Sequence, residues 1–314
     1  MPILVRMNHL EMNLFRKLCS ARVAAPFLLL ICLSFISPSP APAQLSRAPE
    51  NQTATDTANP SEKSQKCQAP AEIIAVPNRP TFSTTAESVQ CGVLEIEYGM
   101  ETADAHQNIN GLIKFGLLKN LELRFANNPF VRDAGVAGGG DSGAGFKYRV
   151  ISQSGFFPTF SVLYTASFPT STGPSGIRAV GHSVDLLFSK DFAKHHFDFN
   201  EGVRFLGRRD TAGFDRAYFT AFDYGHVLKG KWGAAVEVAG FSRANATTPA
   251  TMAILAAVTY SVVPRLVLDA GEYTTVYGPL PRVTFFVGVT YSIADLYHRG
   301  HSRKVTNLFS NQIK

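Results

Sequence analysis

The chain has 314 residues, 45% hydrophobic and 17% charged, with a formal net charge of +6. That is too apolar for a disordered chain and charge-poor beside the quarter usual in soluble domains. Removing the first 43 residues takes away four basic residues and Glu11, leaving 26 basic against 23 acidic side chains, a balance that argues against a nucleic-acid-binding surface.

Arg6, Arg16, Lys17 and Arg22 precede the apolar run Val23 to Ile36, and Ala41-Pro42-Ala43 follows in the small-x-small arrangement that signal peptidase cuts. Residues 1–43 are read as a secretory signal peptide. The competing reading is a membrane anchor, but the run holds 14 residues and contains Pro26, too short to span a bilayer as a helix. Residues 44–78, rich in Pro, Ala, Ser, Thr and Asn without an apolar period, are predicted to be a disordered linker. Cys67 and Cys91 are the cysteines left after cleavage; they either form one disulfide or stay as two thiols.

The next unit is Arg79–Met100, a polar Ser/Thr-rich lead followed by an alternating strand. Leu94, Ile96 and Tyr98 face one way, Glu95 and Glu97 the other. Cys91 stands where a turn-type residue is expected before that strand. The lead Arg79–Gln90 either folds into a lumen as a plug or latch, or is a disordered leader. Period two then recurs to the end of the domain. The predicted strands are Gly92–Tyr98, Asn110–Leu117, Leu121–Ala126, Gly143–Val150, Thr159–Phe168, Val180–Ser189, His196–Leu206, Ala217–His226, Lys231–Phe241, Thr251–Val262, Leu266–Tyr273 and Arg282–Ile293. Thr251–Val262 is nearly all apolar, and its Thr, Val and Tyr content decides for strand over helix.

Twelve strands of about ten residues match tilted strands crossing a bilayer. The connections agree. Leu118–Asn120, Val227–Gly230 and Val263–Arg265 are tight, while Asn127–Ser142, Pro169–Ala179, Gly207–Arg216, Ser242–Ala250 and Thr274–Pro281 are long. With a periplasmic N-terminus the long ones fall outside the cell. Ile151–Pro158 and Lys190–His195 are longer than this pattern wants. The mature chain has no apolar run of 18 residues, so a closed barrel is the way for it to satisfy its backbone in lipid. The expected fold is therefore an all-β, transmembrane, antiparallel up-and-down β-barrel of about 12 strands over residues 79–293, closed by pairing the first strand with Arg282–Ile293. A secreted soluble β-sandwich or barrel is the alternative. Residues 294–314 are expected to be a basic periplasmic tail, because the chain runs past the terminal aromatic at which such barrels usually finish.

The segments RPTFSTTAESVQCGVLEIEYG, GLIKFGLLKNLELRF, GDSGAGFKYRV and FFVGVTYSI resemble the outer-membrane transporters grouped as the MetA-pathway of phenol degradation family. The resemblance covers residues 79–293. It implies an outer-membrane β-barrel that passes small hydrophobic or aromatic molecules, and it says little about the true substrate.

By strand phase, Glu95, Glu97, Lys114, Glu122, Arg124, Lys147, Arg149, Asp198 and Arg204 point into the lumen, together with Asp185, Glu237 and Asp269. Two readings are open: a charged constriction that selects solutes, or a salt-bridged filling that rigidifies a narrow barrel. Enzyme chemistry finds little support. His182 and Ser183 are neighbours and face opposite sides, so they cannot form the Ser–His pair of a membrane lipid hydrolase. His195-His196 reads as a pair of surface histidines at a periplasmic turn and His298/His301 as part of a basic tail, and Gly138–Asp141 follows no buried parallel strand that would make it a phosphate cradle. The sequence thus points to a passive outer-membrane channel with no catalytic residues, no cofactor and no metal, exported by its signal peptide. Its partners would be outer-membrane lipid, a small-molecule solute and the barrel-assembly machinery, without nucleic acid. The alternatives are a non-conducting structural or adhesive barrel and a lipid-modifying enzyme.

Overall fold

The computed structural model describes residues 67–173, 176–208, 211–278 and 282–298. The signal-peptide reading, residues 44–66 of the linker and residues 299–314 of the tail lie outside them. The strands are β1 (Val93–Ala103), β2 (His106–Leu118), β3 (Leu121–Asp133), β4 (Val136–Gly138), β5 (Ser142–Ile151), β6 (Thr159–Phe168), β7 (Gly181–Phe192), β8 (His195–Gly207), β9 (Phe214–Val227), β10 (Trp232–Phe241), β11 (Thr251–Val263), β12 (Leu266–Tyr277) and β13 (Val283–Asp295). All but β4 form the wall. Each pairs antiparallel with its neighbours, and β1 pairs with β13 through Ile96 opposite Tyr291 and Tyr98 opposite Val289. The result is a closed 12-stranded barrel, with β4 a short extension folded back on β3 beyond the wall.

Burial alternates along the wall strands, in the opposite sense to a soluble domain. Glu95, Glu97, Lys114, Glu122 and Lys147 are 0–1% exposed. Phe125, Phe146, Phe222, Val236, Ile254, Leu268, Phe285 and Val287, on the outward phase, are 41–57% exposed. An exterior of Phe, Val, Ile and Leu around a polar interior suits lipid outside and excludes the soluble sandwich. Exposed Phe156, Phe157, Phe192 and Trp232 cluster at the end with the short turns, where aromatic side chains meet a membrane interface.

Several boundaries differ from the sequence expectation. Lys190–His195 is not a loop: β7 and β8 pair down to Phe192 opposite His195, leaving a two-residue turn at Ala193 and Lys194. This removes one of the two exceptions to the long-outside, short-inside pattern; 152–158 remains the other, and the two-residue β1–β2 turn at Asp104 and Ala105 is a new one on the outer side. The linker reading of 44–78 ends too late. Ala75, Val76 and Asn78 already bond to the barrel, because the wall supplies partners that the composition of this stretch lacks. The last strand continues to Asp295, and the chain after it stays on the barrel rim: the Leu296 N–H donates to the Gly92 carbonyl and the Tyr297 hydroxyl to the Leu117 carbonyl, 3.0 Å away.

Val287 stands outward near the middle of β13, opposite Met100 and Ala270. Val287→Arg should destabilise the barrel in vesicles by about 2–4 kcal/mol, as a charge at the bilayer midplane does. Denaturant unfolding against the parent chain measures it.

Candidate functional site

The lumen is occupied by the chain's own polypeptide. The stretch from Cys67 to Gly92 enters at the end with the short turns, crosses the interior and leaves into β1. A disulfide joins Cys67 to Cys91, with the Cα atoms 5.6 Å apart, so the segment is held at both ends. Gly92, at φ 83°, makes the bend into β1 that the sequence places at Cys91. The disordered-leader alternative for Arg79–Gln90 therefore fails.

This segment contains no strand or helix, and its backbone groups still need partners once buried. Barrel side chains provide them. Glu95 accepts from the Val76 N–H at 2.9 Å. Glu97 accepts from the N–H groups of Asn78 and Arg79 and from the Asn78 amide. Glu237 takes the Phe82 and Ser83 N–H groups on its two oxygens, at 2.7 and 2.6 Å. Asn200 accepts from Thr84 N–H and donates back to the Thr84 carbonyl. Ser189 accepts from Ala86 N–H, and Glu122 from Val89 N–H at 2.8 Å. The lysines serve the carbonyls: Lys114 donates to Val76, and Lys147 to Thr85 and Glu87.

The same groups neutralise one another. The Lys114 ammonium lies 2.6 Å from Glu95 and also contacts Glu97. Glu122 is shared between Lys147 at 3.6 Å and Arg124 at 3.1 Å. Arg149 pairs with Glu87 of the lumen segment at 2.6 Å, Arg204 with Asp185, and Asp198 with His196 at 3.0 Å. All nine sequence-predicted lumen residues thus face inward. Most are joined to one another or to the segment, and Glu122, Lys147 and Arg124 form one continuous group.

Two further anchors escaped the sequence reading. Phe82 packs edge-on to Tyr273, with ring centroids 5.0 Å apart, and against the Phe219 and Leu255 clusters of the wall. Arg79 lies across Gly99 and Gly288, which face each other in the β1–β13 ladder. A Cβ built on either glycine would fall 2.1–2.2 Å from the guanidinium. That guanidinium donates to Asn110 at 2.6 Å and pairs with Asp269 at 3.4 Å. Paired glycines across the closing seam were the available signal, since they mark a close approach.

The segment divides the interior. On the side of the long connections lies a cavity of about 790 Å³, floored by Phe82 and Thr84 and walled by Leu163, Arg204, Leu206 and Phe219. On the side of the short turns lies one of about 530 Å³, reached by Lys194, Val227 and Pro264. His182 points away from the lumen to the Tyr164 hydroxyl, at 2.8 Å, and gives Ser183 no base.

No protein-family model matches the sequence, and no curated protein matches it significantly. Among solved structures, an outer membrane channel from Pseudomonas putida F1 is similar at 12% identity and TM-score 0.50, covering 72% of this chain and all of that one. The NanC porin aligns at 10% identity and TM-score 0.49, over 64% of this chain and all of its own. The KdgM porin aligns at 12% and 0.46, over 64% of this chain and 99% of its own. At these identities the likeness is one of fold.

Replacing Lys114 by Met would leave Glu95 and Glu97 buried side by side without their cation. The expected loss is about 3–5 kcal/mol, read as a lower unfolding midpoint. Glu237→Ala strands two segment N–H groups, each worth about 1–3 kcal/mol; the wall should survive while residues 80–84 become open to protease.

Proposed function

We propose that the chain is an outer-membrane channel for small solutes, held closed by its luminal segment. The observation that carries this is the pair of cavities on opposite sides of that segment, inside a barrel whose exterior suits lipid. The segment lines both, with Phe82 and Thr84 on the outer cavity and Thr81, Thr85 and Glu87 on the periplasmic one, and it is held mainly by side-chain contacts rather than by strand pairing. Displacing it joins the outer cavity to the periplasmic one without altering the wall.

The outer cavity favours solutes with an apolar or aromatic body and a polar group. Phe82, Leu163, Ile177, Leu206 and Phe219 offer apolar surface, beside Asn200, Arg204 and Asn245. Passage is passive and uses no cofactor. The charged lumen residues act through the segment, so selection by a bare charged constriction is not part of this reading. Export by a signal peptide over residues 1–43, insertion into outer-membrane lipid by the barrel-assembly machinery, and membership of the MetA-pathway of phenol degradation family, on the motifs quoted above, belong to the same proposal.

The dense filling also favours a second reading, a structural barrel that conducts nothing. Planar-bilayer recording and liposome swelling separate the two. The parent chain should conduct weakly. A chain carrying Glu237→Ala and Asn200→Ala, with the Cys67–Cys91 disulfide reduced, should conduct several-fold more. Equal silence from both would leave the structural barrel.

A further inference from the structure

Asp198, Asp223 and Glu237 stand side by side on β8, β9 and β10: Asp198 is opposite Asp223 in one ladder, and Asp223 opposite Glu237 in the next. All three face inward and are 1–4% exposed. Like charges at directly opposed positions repel, and a buried carboxylate needs a counter-charge or donors. Two of the three have several, whereas Asp223 has the Tyr224 N–H and the more distant charge of His196. Asp198 accepts the Ser189 hydroxyl and lies 3.0 Å from His196 Nε2, whose Nδ1 meets Asp191 at 2.7 Å. Glu237 holds the two segment N–H groups. Asp223 Oδ1 is buried with no hydrogen-bond partner.

Other cations nearby are committed elsewhere. Arg79 is bound to Asn110 and Asp269, Arg149 is bound to Glu87, and Lys194 is exposed at the β7–β8 turn. Asp198 and Asp223 both line the periplasmic cavity of about 530 Å³, where Thr81, Thr85, Thr259 and Ser261 add oxygen atoms. We infer that this cavity is a binding site for one compact monovalent cation, an alkali ion or the ammonium group of a solute, seated on Asp223 with Asp198 beside it. A divalent metal is a poorer occupant, since among the described residues no group of three His, Cys, Asp or Glu is placed to hold one. The site does not depend on whether the barrel conducts.

The test uses the purified full chain in detergent micelles at mildly alkaline pH and constant ionic strength. Its unfolding midpoint is compared in choline, potassium and methylammonium chloride. Choline is too bulky to approach Asp223 closely. The midpoint should rise by about 2–4 °C when choline is replaced by either small cation, and Asp223→Asn should abolish the rise. A rise in methylammonium alone assigns the site to ammonium groups; a rise in both assigns it to any compact cation. Equal midpoints in the three salts would overturn the inference, leaving a proton on Asp223, and so would an Asp223→Asn chain that responds as the parent does. The salt comparison on the parent chain decides the matter even if the variant does not assemble.

Discussion

Every backbone N–H and C=O placed away from water must find a partner. Closure of the wall is the first consequence. β1 and β13 each have one edge that no sequence neighbour covers, so Val93–Thr102 joins Phe285–Asp295 and no edge faces lipid. The luminal segment is the second. Its prolines and polar residues give it no ladder of its own, so the wall must bring partners to it. Glutamates present acceptors to N–H groups, lysines present donors to carbonyls, and Asn200 does both. Burying those charges then requires that they pair among themselves, which Lys114 with Glu95 and Lys147 with Glu122 achieve.

Constriction and rigid filling were the two sequence readings of the lumen charges, and the geometry lies closer to the second with a third partner added. The charges are matched in sign because they bind a peptide backbone, which presents both donors and acceptors. A barrel selecting ions by a charged ring would leave one sign unpaired. The ring here is compensated around β1–β5, and the acidic surplus lies across the lumen on β8–β10, where the segment meets the wall through Glu237.

Strand existence and phase were legible because lipid on one side and a polar lumen on the other impose strict alternation; Thr159–Phe168 coincides with β6 at both ends. Strand ends were less so. The β1–β2, β3–β4 and β7–β8 turns place Ala105, Ala134 and Ala193 at positive φ, where Gly or Asn is the usual signal, so the hairpins read as longer loops. The inward charges were legible by phase alone. Their partner was not, because a segment without periodicity looks like a linker whether or not a wall holds it. Gly99 and Gly288 were each visible, but only the register of the closing seam makes them a slot for Arg79.

The central claim is that the lumen side chains do for the segment what strand pairing does for the wall. Site-resolved hydrogen exchange on the membrane-embedded protein tests it most directly. The amides of Val76, Asn78, Phe82, Ser83, Thr84, Ala86 and Val89, all bonded to barrel side chains, should be protected to a degree approaching those of β1. Exchange at the rate of a free peptide, with the wall amides still protected, would contradict it.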